Sequence, residues 1–256
     1  MNANTPGQPP AGPVTVSSRM PTPSSALAIG AHPDDVEFGA GATLSAWARQ
    51  GCVVHHLICT DGSKGTWDPQ ADLDALRRIR RDEQRAASVA LAGDAAGSVF
   101  FLDYVDGELA SGIDERRRVA EVIRRVRPAV VLGHDPWKRY RLHPDHRHAG
   151  LLACDGIVAA RDPHFFADLG LAPHRPEALL LFEADEINHL EPADEADIDR
   201  KLAALHAHAS QFESTMHATD DAGLVAFDRR IREALESLGA AHGMAAAEAF
   251  HLMTDL

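Results

Sequence analysis

"SALAIGAHPDDVEFGAGAT", residues 25–43, decides the reading of the whole chain. An apolar run over 26–31 ends on a histidine, a proline and two adjacent aspartates, and residues 37–50 then read as helix. A short buried strand that passes through a polar turn into a helix is the opening of a strand–helix–strand unit. Adjacent carboxylates repel each other, so Asp34 and Asp35 call for a compensating charge or a use.

The same alternation continues outward. "VVHHLIC" (53–59), "SVFFL" (98–102), "AVVLG" (129–133) and "ALLLFE" (178–183) read as buried strands, and 72–93, 113–127 and 144–160 read as helices. In 72–93, Leu73, Leu76, Ile79, Ala86, Val89 and Ala90 recur at steps of three and four, and Gly93 is a stop signal. This order predicts an α/β fold with a mainly parallel sheet and helices on both faces. Beyond 184, helices are expected over 194–212 and 224–239, while 246–253 stays open between strand and helix. Residues 1–25, rich in Pro, Gly, Ser and Thr, read as a disordered leader, and 26–256 as one domain.

Composition bounds the function classes. A chain of 256 residues with 45% hydrophobic content suits one large α/β domain. Its 38 acidic against 25 basic residues, a net of −13, weigh against nucleic acid and anionic membranes as partners. Three cysteines without a CxxC support neither a disulfide framework nor a thiolate zinc cluster. No apolar run reaches the roughly 18 residues of a membrane span, and the expected location is the cytoplasm.

The polar clusters follow the strands: His32 to Asp35, Asp61 to Lys64, Asp103 to Glu108, and His134 to His148. In open parallel sheets, sites form at the carboxyl ends of strands, so these segments are expected to meet in one crevice. With Pro33 at the first helical position, His32 and Asp35 would share a helical face, a common half-site for zinc. The plain alternative is a pair of acids complementing a helix N-terminus. "RLHPDHRHAG" (141–150) repeats the His-Pro-Asp order and again sets two histidines, His143 and His146, three apart. Three such ligands leave an open position for water or substrate, beside which a carboxylate can act as general base and a second histidine can stabilise an oxyanion. One aspartate then binds metal and the other works on its water.

"AHPDDVEFGAGAT" followed by "HPDHRH" resembles the LmbE-like, or PIG-L, family of zinc-dependent N-deacetylases, over about residues 26–253. The resemblance implies a Rossmann-like fold and removal of an N-acetyl or other N-acyl group from an amino sugar or small glycoconjugate. It implies Zn2+ on His32, Asp35 and His146, Asp34 as general base, and His143 as the group that stabilises the tetrahedral intermediate and assists the leaving amine. "RRDE" resembles an Arg-x-x-Glu step of the family, with Arg80 facing substrate and Glu83 beside it. "DYVDGEL" resembles a loop in which Asp106 contacts sugar hydroxyls, and "KLAALHAHASQF" is similar to the late helix. Arg141 departs from the pattern, standing two residues before His143 where some members carry a tyrosine; Tyr140 is adjacent. Members often assemble as trimers or hexamers, which makes a homo-oligomer an expectation.

Competing readings remain at this level. The same ligands suit a non-haem iron oxygenase, although the spare Asp34 favours hydrolysis. A metal hydrolase of a non-sugar amide or an ester, and a binding module without catalysis, are the others. "GAGAT" (39–43) is set aside as a dinucleotide fingerprint because Leu44 stands at the third glycine position. Trp67 and Trp137, in loops at the active edge, are open between stacking on a sugar and packing. Asp155, Glu183, His189 and His208 receive no role.

Overall fold

Apolar residues fill both faces of the strand Ser25–Gly30: Leu27 and Ile29 enter one core, Ala26 and Ala28 the other. A strand covered on both sides belongs in the middle of a parallel sheet. The computed structural model describes residues 16–256 and shows this arrangement. Its strands are β1 Ser17–Ser18, β2 Ser25–Gly30, β3 Val53–Thr60, β4 Ala96–Tyr104, β5 Val130–His134, β6 Ala178–Phe182, β7 His189–Pro192 and β8 Ala247–Met253. Its helices are α1 Asp35–Arg49, α2 Leu73–Ala92, α3 Ile113–Val126, α4 Pro144–Arg161, α5 Glu195–His206 and α6 Asp221–Ala240.

The sheet order is β1-β7-β8-β6-β5-β2-β3-β4. β2 pairs in parallel with β3 (Ser25 opposite Val53) and with β5 (Ala26 opposite Val130), while β8 runs antiparallel to β6 and β7. The chain steps from β2 outward to β3 and β4, then returns to the other side of β2 as β5. That reversal places a crevice at the carboxyl ends of β2 and β5. α3 and α4 cover the Leu27 face, and α1 and α2 cover the Ala26 face. The mainly parallel α/β architecture expected from the alternation is the one observed.

Four details differ from the reading of the sequence or complete it. β7 went unforeseen because "HLEP" is short, polar and ends in proline; β1 is two residues long. β1 lies inside the stretch taken as leader and pairs with β7 (Ser17 opposite His189), so ordered chain begins before residue 26; residues 1–15 lie outside the described residues. The open segment 246–253 is strand β8. The helix expected over 194–212 stops at His206, and a separate short turn, Ala209–Gln211, follows. Among the described residues no helix is long and apolar enough to cross a membrane.

"GAGAT" has a packing explanation. A Cβ at Gly39 would stand 2.4 Å from the Phe182 ring, and one at Gly41 would stand 2.9 Å from Lys201 Cγ. Between them Ala40 leaves helical geometry (φ −147°, ψ 15°). The freed backbone groups find partners in a buried ion pair. Lys201 Nζ donates to Phe38 O (2.7 Å) and to Glu248 (2.6 Å), and Glu248 accepts the Ala42 and Thr43 N–H groups.

Candidate metal centre and active site

The two His-Pro-Asp turns share a sequence and differ in backbone. In the second, His143 caps α4, Pro144 takes the first helical position, and His143 Nδ1 accepts the Asp145 N–H (3.3 Å). In the first, helix α1 begins only at Asp35, and Asp34 sits in the left-handed region (φ 93°). Pro33 therefore lies outside the helix, contrary to the reading above. A tight turn, not a helical one, brings His32 and Asp35 together: the Asp35 N–H reaches His32 O (3.4 Å), and Asp35 Oδ2 accepts the His32 N–H (2.7 Å). Aspartate tolerates this left-handed backbone better than most residues, and here the Asp34 N–H donates to Gln84 Oε1 (3.1 Å).

Asp35 is the hub. His32 Nδ1 lies 3.3 Å from Oδ2, His146 Nε2 lies 3.3 Å from Oδ1, and His134 Nε2 lies 3.2 Å from Oδ2. Ligand atoms bound at about 2.0–2.1 Å to one tetrahedral zinc stand roughly 3.3 Å apart, so these separations suit a shared ion. The other nitrogen of His32, Nε2, faces Asp106 Oδ1 and Asp145 Oδ2, both at 3.2 Å. Asp145 is fully buried and is itself fixed by the Gly107 (2.6 Å) and Leu109 (3.2 Å) N–H groups. A metal-ligating histidine commonly gives its second N–H to such an anchored carboxylate. Donor atoms of His32, His143 and His146 also converge within 4.8 Å of one another, as do those of Asp35, His134 and His146. The residues present fit a divalent ion of the zinc type.

Charge points the same way. Burial disfavours a charge on either His32 or Asp35, yet His32 is held well above the ordinary histidine range by Asp35, Asp106 and Asp145, and Asp35 well below the carboxylate range by His146, His134 and His32. A site so rich in carboxylates favours positive charge, which a metal ion would supply. Burial, together with the charge on Asp35, pushes the Asp34 carboxyl up to about 6 against the pull of the Arg80 guanidinium. His143 is held below the usual histidine range by burial and by the neighbouring His32 and His146, so it is neutral at pH 7.

These groups line a cavity of about 310 Å³ that takes in His32, Asp34, Asp35, Asp106, His143 and His146. The description of PIG-L, GlcNAc-PI de-N-acetylase, matches residues 27–156, which carry all six. The chain belongs to the PIG-L family. It is 37% identical over 190 residues to diacetylchitobiose deacetylase of Thermococcus kodakarensis, covering 73% of this chain and 69% of that one. It is 30% identical to the 1D-myo-inositol 2-acetamido-2-deoxy-alpha-D-glucopyranoside deacetylase of Streptomyces griseus, with 58% of this chain matched; the match spans about half (52%) of that relative. N,N'-diacetylchitobiose deacetylase from Pyrococcus horikoshii, solved with its inhibitor MPG, superposes with a TM-score of 0.80 at 28% identity, covering 91% of this chain and 84% of the other. By family, then, the chain is an enzyme, a hydrolase of N-acetyl amide bonds.

Arg80 also lines this cavity. Its side chain is 3% exposed and donates to Gly62 O (2.8 Å), Pro33 O (2.5 Å) and Asp34 Oδ2 (3.3 Å). It therefore contacts Asp34 from within the cavity wall. Glu83 anchors Ser210 by two hydrogen bonds. Asp106 lines the cavity, with Oδ2 accepting the Lys64 N–H (3.0 Å) and Oδ1 against His32. Tyr140 is 88% exposed, whereas the Arg141 side chain is buried and donates to Glu183 Oε2 (2.6 Å) beside His146 Nδ1 (3.0 Å).

Several residues that the sequence reading left without a role support the site. His134, already in a cluster behind a strand, ends β5, and Glu183 starts the turn after β6. Burial would raise the Glu183 carboxyl, but the His134 hydrogen bond and the charges of His134 and Arg141 hold it at about 2. His208 lies 3.6 Å from Glu37, both fully buried, and Gln84 Nε2 donates to that same carboxylate (2.7 Å) behind Asp34. Nothing local in the sequence pairs residues so far apart.

Proposed function

We propose that the chain is a zinc-dependent N-deacetylase that acts on an N-acetylated amino sugar or small conjugate, with His32, Asp35 and His146 as metal ligands. The observation that supports it most is that, at one cavity, His32 and His146 each stand 3.3 Å from an oxygen of Asp35, beside a second, buried carboxylate whose pKa is raised. A zinc ion there would act as a Lewis acid toward the acyl carbonyl and would acidify a water. Asp34 takes the proton of the attacking water. With its carboxyl near 6 it is mostly ionised at neutral pH, yet basic enough to accept that proton. Arg80 and Gln84 hold it in place from behind, through the carboxylate and the backbone N–H.

His143 Nδ1 accepts a backbone N–H, which leaves the ring proton on Nε2 as a donor to the developing oxyanion. The proton collected by Asp34 is then available to the departing amine. The test is amine release from N-acetylglucosamine and N,N'-diacetylchitobiose by the full chain. Activity should vanish with a chelator and return with zinc. A zinc-loaded chain that releases amine from no N-acetyl sugar overturns the reading.

A further inference from the structure

A smaller cleft of about 230 Å³ adjoins the catalytic cavity, and Gly65 lines both. Trp67, in the loop after β3, is 79% exposed at this cleft, where Asp68 and Glu213 add carboxylates. Its floor is fixed by cross-links between two segments distant in sequence. Gln211 Nε2 and Ser214 Oγ both donate to Gly65 O at 3.1 Å, and Glu83 holds Ser210 by its N–H and its hydroxyl. Gln211, 1% exposed, also lines the catalytic cavity, so one rigid element floors both spaces. A larger cavity of about 610 Å³, with Trp137 and Tyr140 in its wall, shares no lining residue with the catalytic one.

An exposed indole lining a cleft with a polar, cross-linked floor suits a pyranose, whose C–H face can lie on an aromatic surface while its hydroxyls meet carboxylates. A volume of 230 Å³ equals about eight waters at roughly 30 Å³ each, room for one sugar ring rather than two. We propose that the Trp67 cleft is a second sugar subsite, which takes the ring next to the one whose N-acetyl group lies in the catalytic cavity. This rests on the deacetylase reading above. Asp68 and Glu213 make the subsite selective for a neutral or amino-bearing ring over a phosphorylated or carboxylated one.

The test is calorimetry on the zinc-loaded Asp34→Asn chain, which does not consume its ligand, with N-acetylglucosamine and N,N'-diacetylchitobiose as probes. The disaccharide should bind about tenfold more tightly, in line with roughly 1.4 kcal/mol of stacking. Trp67→Ala should abolish that preference, and Trp67→Phe should keep most of it. Equal affinities for the two sugars, no binding of either, or a Trp67→Ala loss that is the same for both would overturn the subsite. So would a change of association state with Trp67→Ala in size exclusion, which would make the indole a contact between copies. Amine release by the wild-type chain is read in parallel. Tight disaccharide binding without amine release sinks the deacetylase reading and leaves the subsite; amine release with equal affinities sinks the subsite alone.

Discussion

Asp34 and Asp35 are neighbours in sequence with opposite electrostatics, and the difference is built from single contacts. Asp35 faces three histidines and stays ionised; Asp34 faces one guanidinium and burial, and sits near 6. A general base must be deprotonated, so the acid limb of kcat should have its midpoint at or below about 6, since a bound dication lowers the carboxyl further. The Arg80 charge lowers this pKa, so Arg80→Met should move that limb to higher pH and cost more activity at pH 6 than at pH 8. A profile with an unmoved limb would contradict the assignment of Arg80 to Asp34. Asp145 acts one step further out, on the orientation of His32. Asp145→Asn should weaken zinc about 10- to 100-fold, measured by competition with a chromophoric chelator, whereas unchanged affinity would show that His32 needs no such anchor.

At the scale of elements, helix α1 carries Asp35 on its first turn and is kinked at Ala40 around the Lys201–Glu248 pair. Lys201→Ala leaves a buried carboxylate without its cation and should cost about 3–5 kcal/mol in denaturant unfolding. The double change Lys201→Met with Glu248→Leu should cost less, because no lone charge remains. Much of this scale was legible in the sequence. The runs at 26–31, 53–59, 98–102, 129–133 and 178–183 fall on β2 to β6, and the clusters behind β2, β3, β4 and β5 line one crevice. What was not legible depends on contacts between distant segments. Gly39 stands in a stretch read as helix with no local reason for a glycine until Phe182 stands against it, and "HLEP" becomes a strand only because β8 and β1 border it. The left-handed Asp34 was hidden because the same tripeptide at 143–145 adopts a regular helix start.

For the whole molecule, the site joins turns after β2, β4 and β5 with the start of α4, so a bound ion bridges segments more than a hundred residues apart. An ion that binds only the native chain stabilises it by about 2.7 kcal/mol at a hundredfold excess over Kd. In a domain of this size that corresponds to roughly 5 °C, so chelation should lower Tm by about that amount and zinc should restore it. An unchanged Tm would place the metal outside this cluster. The most direct test of the central claim combines metal content with amine release for the wild-type chain and Asp34→Asn. The account predicts about one zinc per chain in both proteins, with amine released from an N-acetyl sugar by the wild type and at least a hundredfold less by the variant. An Asp34→Asn chain that keeps its zinc and its full turnover would contradict it.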